Sequence, residues 1–271
     1  MLVLKQKNFQ TEEGFHDEWA KLASIENLNV IAQFEGSTSP EYNKAIRLLP
    51  DVKNIKILNL GCGLGEEAVY LAILGAKVVA IDISNEMLKT TKKLAKKYKV
   101  NKNITYRKMS CEDMKFKNNS FDAVLGCNIL HHVNIKKTVK ETKRVLKPKG
   151  VAIFAEPLAY NPVINLYRRM AYKVRTDDEH PLFMSDIKQI KEVFPNTSHY
   201  EFHLFTLLIF IWFFLVERQN PNKVRYWKKI INEANKYKNS FKALYFLDKS
   251  TLFLFPFLKR YCWITVIKSQ K

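Results

Sequence analysis

Three glycines and one aspartate have the types and the spacing of a nucleoside-binding site. Gly61, Gly63 and Gly65 lie in the segment LGCGLGEE, where an apolar run gives way to a helical pattern. Glycine adopts backbone angles that other residues avoid, and it lets a ligand approach the main chain closely. Asp82 ends the next apolar run, and a carboxylate there can accept hydrogen bonds from both hydroxyls of a ribose. We therefore predict an adenosine-binding site.

The spacing of these glycines distinguishes between cofactors. A dinucleotide site has the pattern GxGxxG and directs the amino end of a helix at a pyrophosphate. This chain has GxGxG, and Glu66 and Glu67 occupy the start of the helix. Two carboxylates would repel a pyrophosphate, whereas they are compatible with a sulfonium cation or an amino group. The pattern favours S-adenosylmethionine (SAM) over NAD.

Methyl transfer from SAM needs an acceptor held in line and, for weak nucleophiles, a base that removes a proton. His131 and His132 follow an apolar run in NILHHV, and Glu156 ends another in FAEP. We predict that these three residues form the catalytic group, with His131 preferred as the base and Glu156 either binding the substrate or orienting a base. The alternative is that both histidines are structural and that Glu156 is an ordinary loop carboxylate.

The elements that would position these residues alternate between short apolar runs and amphipathic helices. The predicted strands are 56–60, 77–82, 103–109, 121–127 and 151–157, and the predicted helices are 66–74, 84–98 and 136–148. Such alternation predicts a parallel sheet with helices on both faces, which binds ligands at the carboxyl ends of its strands.

The last third of the chain departs from this rhythm. Two β-like runs, 200–210 and 261–269, resemble an antiparallel pair at the sheet edge with an insertion between them. We predict an α/β, Rossmann-like, seven-stranded, mostly parallel sheet with an aromatic-rich C-terminal cap. One continuous domain would comprise an N-terminal helical lid (1–50), a SAM-binding core (51–160), and a substrate-side cap with the last two strands (161–271).

Four segments resemble class I SAM-dependent methyltransferases in order and spacing: NLGCGLG, VVAIDIS, SCEDMKFKNNSFDAVLGCNILHHV and RVLKPKGVAIFAEP. One departure is Ser110, where family members often carry Asp. The resemblance implies a role for each matching residue. The loop of Gly61, Cys62, Gly63 and Gly65 would pass under the methionine part of SAM, Asp82 would hold the ribose, Ile83 would touch the adenine, Cys111 and Glu112 would read its edge, and Asn128 and Ile129 would line the floor.

The segment 156–183 is dense in polar residues, and its EPL, NP, RR and DEHPL elements resemble a subgroup of bacterial methyltransferases of the type 11/25 kind. We predict that Arg168, Arg175 and His180 face the substrate, with arginines neutralising local acids or a substrate anion. Ion pairing on a helix surface is the competing interpretation. Four successive residues, DDEH, cannot all face one ion, so we predict no metal.

Composition limits the class of protein without naming its partner. The formal net charge of +19 suits nucleic acid or an anionic membrane, but 36 of the 45 cations are Lys, which a compositional bias would also produce. Four cysteines without a CxxC pair argue against disulfides and structural zinc. The first residues lack the apolar core of a signal peptide, so we expect a cytoplasmic protein.

The C-terminal segment bears on the acceptor. The apolar run 202–216 is too short to span a bilayer, and the segment after it mixes Lys and Arg with Trp, Tyr and Phe. This mixture favours a small-molecule, lipid-like or hydrophobic acceptor and peripheral contact with an anionic membrane. An RNA methyltransferase using the basic surface is the alternative, and a non-catalytic partner protein with the SAM fold is a third.

Overall fold

A seven-stranded sheet forms the centre of the computed structural model, which describes residues 12–172 and 179–271. Its strands are β1 (Lys56–Leu60), β2 (Lys77–Asp82), β3 (Ile104–Lys108), β4 (Phe121–Cys127), β5 (Leu146–Pro157), β6 (Asn196–Phe202) and β7 (Ile264–Gln270). Their order in the sheet is β3-β2-β1-β4-β5-β7-β6. β7 runs antiparallel to β5 and β6, and the other pairs are parallel. The sheet is therefore mostly parallel and Rossmann-like, as predicted.

Helices cover both faces of this sheet. Among the described residues they are α1 (Glu12–Leu22), α2 (Val30–Glu35), α3 (Pro40–Arg47), α4 (Glu66–Ile73), α5 (Asn85–Lys97), α6 (Ile135–Val145), α7 (Pro162–Met170), α8 (Met184–Val193), α9 (Leu208–Leu215), α10 (Tyr226–Asn232) and α11 (Ala234–Leu254). Ser84 caps the start of α5, where its hydroxyl oxygen accepts a hydrogen bond from the Met87 amide at 3.0 Å.

Two hydrophobic cores result, because successive side chains of a strand point to opposite faces. Ile57 of β1 and Leu125 of β4 pack under α2 to α5 and the cap helices α9 to α11. Leu58 and Val124, their neighbours in the chain, pack under α6 and α8. Strands buried on both faces are continuous apolar runs in the sequence, which is why β1, β2 and β4 were predictable within one or two residues.

The predicted end of helix 136–148 is wrong. α6 ends at Val145, and β5 begins at Leu146. Leu146 has extended backbone angles and pairs with Phe121 on β4. The register shifts between Phe121 and Ala123, because β5 is irregular where it passes Gly150. A Cβ on Gly150 would lie 2.9 Å from the Lys147 carbonyl oxygen, so glycine permits this irregularity.

The apolar run near residue 205 also differs from its prediction as a strand over 200–210. β6 ends at Phe202, and His203 has a φ of +70°. This left-handed turn stops the strand, and the remaining apolar residues form α9. The antiparallel pairing of this strand with the last one is confirmed. Among residues 12–172 and 179–271, no helix has both the length and the apolarity needed to cross a membrane.

Candidate functional site

A cavity of about 310 Å³ opens at the carboxyl ends of β1, β2, β4 and β5. Its volume is in the range of small-molecule sites. α1, α3 and the cap helices complete its wall. Many residues predicted for the site line it: Gly61, Cys62, Gly63, Asp82, Ile83, Cys111, Asn128, Ile129, His131, His132 and Arg168. The sheet therefore brings together residues that are spread over more than a hundred positions of the chain.

The three glycines have different structural roles in the turn between β1 and α4. Gly61 and Gly63 have φ values of +55° and +52° and line the cavity. A Cβ on Gly61 would lie 2.5 Å from Ile129 Cδ1, whereas a Cβ on Gly63 would meet nothing within 4 Å. Gly65 does not line the cavity; its Cβ would lie 2.7 Å from Thr91 Cγ2, so glycine there allows α4 to pack closely against α5. Its predicted contact with SAM has no support from this geometry.

Asp82 holds the glycine turn in place. Its Oδ2 accepts a hydrogen bond from the Gly63 amide at 2.9 Å, and its Oδ1 accepts one from the Ser84 amide at 2.9 Å. Burial raises the pKa of the Asp82 carboxyl, and these two amide donors oppose that shift. A carboxylate oxygen accepts more than one hydrogen bond, so both oxygens can also accept from the hydroxyls of a ribose.

The residues predicted to contact the adenine have different positions relative to the cavity. Cys111 lines the cavity, and burial raises the pKa of its thiol to about 11. Glu112 does not line it: its Oε1 accepts a hydrogen bond from the Asn134 amide at 2.9 Å, next to the start of α6. Asn128 lines the opposite wall, and its amide nitrogen donates to the Tyr42 hydroxyl at 3.3 Å.

The start of α4 presents negative charge to the cavity. Glu66 forms an ion pair with Lys228 of α10 at 3.2 Å. Glu67 also lines the cavity and makes no ion pair within the described ranges. Burial, and secondly the nearby Glu66, raise the pKa of Glu67 to about 8. A cation bound beside Glu67 would favour its ionised form, so this end of the cavity suits a positively charged ligand.

Glu156 lies behind His131 and does not line the cavity. One of its oxygens accepts hydrogen bonds from the amides of Ile129 and Leu130, both at 2.9 Å, and the other lies 2.8 Å from His131 Nδ1. Burial raises the pKa of Glu156 to about 7 against these amide donors. The carboxylate fixes the loop after β4 and orients the His131 ring, so only Nε2 of that ring can act on a bound molecule.

Glu12 of α1 lies in the cavity wall next to His132. The Glu12 carboxylate lies 3.2 Å from His132 Nδ1 and 3.2 Å from His16 Nε2. Burial would raise the pKa of Glu12, but hydrogen bonds from the two histidines hold it well below its usual range. The ligand atoms of these three residues lie within 4.8 Å of one another, as do those of His131, His132 and Glu179. Either set has the spacing to hold a metal ion, and the expectation of no metal stays a prediction.

The three residues predicted to face the substrate have different positions. Arg168 lines the cavity, and its guanidinium donates to the Leu158 carbonyl and the Asn165 side chain. His180 is exposed and off the cavity, although its amide donates to the His131 carbonyl oxygen at 3.0 Å. Arg175 lies outside the described residues.

Sequence reasoning predicted an aromatic-rich cap on the substrate side but did not name the residues that form the aromatic end of the cavity. Its wall there is formed by residues of α3, α7, the β6–α9 turn and the cap: Glu41, Tyr42, Tyr167, His203, Thr206, Phe210, Trp227 and Trp263. The one available signal was His203, the single histidine in an otherwise apolar run. The cavity thus joins a glycine-lined, acidic end to an aromatic end.

Comparison with known proteins shows that residues 58–154 match a family described as a methyltransferase domain. Over 105 residues the chain is 40% identical to the ubiquinone biosynthesis O-methyltransferase of Pelagibacter ubique, covering 38% of this chain and 42% of that protein. It is 36% identical over 124 residues to the demethylmenaquinone methyltransferase of Chlorobaculum parvum, covering 45% of this chain and 49% of that protein. The matched segments span about half of these relatives.

The fold is similar to that of solved methyltransferases over most of the chain. The geranyl diphosphate C-methyltransferase of Streptomyces coelicolor has a TM-score of 0.57 to this chain at 13% identity. The similarity covers 86% of this chain and 75% of that one, and it shows the shared fold.

Proposed function

We propose that this chain, in which residues 58–154 match a methyltransferase-domain family, transfers the methyl group of SAM to a small, largely apolar acceptor. The observation that carries this proposal is the continuity of the cavity. Its acidic end, with Gly61, Gly63, Asp82 and Glu67, suits an adenosine that bears a sulfonium, and its aromatic end suits the acceptor. The methyl group would lie between the two ends.

The proposed cofactor contacts follow from the positions of the side chains. Asp82 binds the ribose hydroxyls, Ile83 and Cys111 border the adenine, and Asn128 with Ile129 forms the floor. His131, oriented by Glu156, removes a proton from the acceptor, and His132 serves α1 as a latch over the cofactor. Arg168 borders the acceptor. The acceptor atom is an oxygen, nitrogen or carbon.

Both the cavity and the proteins that resemble this chain favour a hydrophobic acceptor. Two similar proteins are named for quinone methylation and one solved neighbour for geranyl diphosphate methylation. One side of α9 contributes Phe210 to the cavity, while Trp212 and Leu215 on its other side are exposed. We propose that this helix and the basic, aromatic end of α11 contact an anionic membrane and bring the cavity close to lipid-soluble acceptors.

Two measurements test the function in sequence. Calorimetric titration with SAM and with S-adenosylhomocysteine tests cofactor binding. Absence of binding to both would contradict the proposed enzyme and leave the hypothesis of a non-catalytic partner protein. Incubation with SAM labelled in its methyl group, together with separated lipid, RNA and small-molecule fractions of a cell extract, then tests the acceptor. We expect label in the lipid or small-molecule fraction, and label in the RNA fraction alone would favour the RNA methyltransferase.

A further inference from the structure

A chain of four buried side chains ends in the aromatic part of the cavity. Asp248 of α11 accepts a hydrogen bond from the Thr206 hydroxyl at 3.0 Å, and Thr206 Oγ1 lies 3.0 Å from His203 Nδ1. His203 Nε2 lies 2.8 Å from Glu41 Oε2. All four residues are less than 10% exposed, and Glu41, His203 and Thr206 line the cavity.

Hydrogen bonds to neighbouring amides hold the backbone around His203 in the conformation that this network requires. The His203 φ of +70° is uncommon for a residue with a side chain and persists only where surrounding contacts impose it. Asp248 supplies such contacts, because its carboxylate also accepts hydrogen bonds from the Leu204 and Phe205 amides. The network therefore fixes the direction of the His203 ring toward Glu41.

The hydrogen-bond network needs one proton more than the Thr206 hydroxyl and a neutral His203 ring supply. Its three side-chain contacts need three hydrogens, and the Thr206 hydroxyl with a neutral imidazole supplies only two. The third is one additional proton, shared between His203 and Glu41, which leaves the two carboxylates and the imidazole with one net negative charge. The Glu41 oxygen that does not face His203 makes no hydrogen bond to residues 12–172 or 179–271, so it can accept one from a ligand.

We propose that Glu41, oriented by His203, binds a hydrogen-bond donor of the methyl acceptor, a hydroxyl or an amine attached to an apolar or aromatic body. This inference rests on the proposed function. Tyr42, next to Glu41 in the chain, is hydrogen-bonded to Asn128 on the cofactor side, so a donor held by Glu41 lies close to the cofactor end. Glu41 is then a specificity-determining residue, which selects acceptors that carry O–H or N–H over those that do not.

Matched probes test this selection in the full chain saturated with S-adenosylhomocysteine. The probes are 4-ethylphenol, 4-ethylbenzylamine and 4-ethylanisole, the last of which has no donor. We expect at least one donor probe to bind about tenfold or more tightly than 4-ethylanisole by calorimetry, the usual effect of a hydrogen bond to a charged group. Which donor is preferred distinguishes a hydroxyl acceptor from an amine acceptor. Equal affinity for all three, or no binding of any at millimolar concentration, would overturn the proposal.

Variants separate this role from a structural one. Glu41→Gln should reduce the preference while S-adenosylhomocysteine still binds, because a neutral amide oxygen is a weaker hydrogen-bond acceptor than a carboxylate oxygen. His203→Asn, which tolerates a positive φ, should weaken the preference by releasing Glu41. The control is Glu35→Gln, which alters a carboxylate bonded to Tyr70 and not part of the cavity wall. An undiminished preference in both Glu41→Gln and His203→Asn contradicts the inference, whereas absence of cofactor binding in the unaltered chain contradicts the proposed function.

Discussion

At the scale of single residues, the buried carboxyl of Glu67 predicts how cofactor binding depends on pH. Its pKa is raised to about 8, so at pH 7 it is mostly protonated. A bound sulfonium or ammonium favours the ionised form, and binding at pH 7 must therefore release a proton. We expect the affinity for SAM to rise by up to about tenfold per pH unit between pH 6 and 8 and to level off above that.

The measurement is calorimetry in buffers of different ionisation enthalpy, which counts the protons released. Glu67→Gln should bind SAM without this proton release, and Glu86→Gln, an exposed carboxylate paired with Lys89, should behave as the unaltered chain does. S-adenosylhomocysteine lacks the sulfonium, so a pH dependence that persists with it assigns Glu67 to the amino group. Identical pH dependence in Glu67→Gln and the unaltered chain would contradict the assignment.

The pair of His131 and Glu156 predicts a change in catalysis without a change in binding. The Glu156 carboxylate accepts the Nδ1 proton and leaves Nε2 as a base, whereas the amide of Glu156→Gln donates to Nδ1 and moves the ring proton to Nε2. We expect kcat to fall by about 10²–10⁴-fold with the KM for SAM unchanged. In the unaltered chain, activity should decline as pH falls below about 7, where Glu156 becomes protonated.

Asp122→Asn is the control, because Asp122 lies at the opposite end of the sheet and binds the Lys56 amide and Lys147. If Glu156→Gln retains the full kcat, His131 is not the base.

Residues that local patterns place at strand ends were predictable from the sequence. The glycine turn, Asp82 and His131 each follow a buried strand, and parallel strands gather their carboxyl ends at one edge. Glu41 was not predictable, because its partner His203 lies 162 residues away and meets it only in the folded chain. Glu112 shows the same limit: its segment resembles the family motif apart from Ser110, yet its carboxylate accepts a hydrogen bond from the Asn134 amide next to the start of α6.

At the scale of elements, the predicted role of α1 as a lid depends on its contacts with the loop after β4 and with the start of α10. Glu12 lies between His132 and His16, and Trp19 lies under the Arg225 guanidinium, 4.1 Å from the ring centroid. These contacts join α1 to the loop after β4 and to the start of α10. A lid closed over a cofactor slows its escape.

Glu12→Gln should weaken the contact between α1 and His132. A neutral amide cannot accept charge-assisted hydrogen bonds from His132 and His16 as the carboxylate does. We expect SAM to dissociate about three- to tenfold faster, as measured by stopped-flow displacement, with the folding temperature nearly unchanged. Glu13→Gln, which removes only the exposed pair with Lys108, is the control. Equal dissociation rates for the two variants would mean that Glu12 is not part of a lid.

Element boundaries were predictable where an apolar run is buried on both faces and less so elsewhere. The run 202–216 satisfies the pattern of a strand and that of a helix equally, because nearly every residue in it is apolar. The choice is made by contacts that are distant in sequence: Asp248 binds the amides after His203 and imposes the turn. Pairing of β6 with β7 then uses only residues 196–202.

At the scale of the whole molecule, the last part of the C-terminal cap exposes both apolar side chains and cations. The exposed rings of Phe246, Phe253 and Phe257 lie in α11 and the turn after it. Four exposed cations accompany them: Lys242, Lys249, Lys259 and Arg260. Large aromatic residues exposed beside lysine and arginine are typical of proteins that bind a membrane surface.

This surface predicts binding to vesicles that contain phosphatidylserine and weaker binding to vesicles of phosphatidylcholine alone. Because burial of each phenylalanine ring in the interface contributes about 1.5–3 kcal/mol, the double variant Phe253→Ser/Phe257→Ser should bind anionic vesicles at least tenfold more weakly in co-sedimentation. Leu22→Ser, which removes an exposed apolar residue from α1, should have no effect. Raising the salt concentration should weaken binding through the cations but leave the effect of the phenylalanines, since screening acts on charge and not on burial. Binding to RNA instead, equally strong in the double variant and lost at high salt, would show that the basic surface serves nucleic acid.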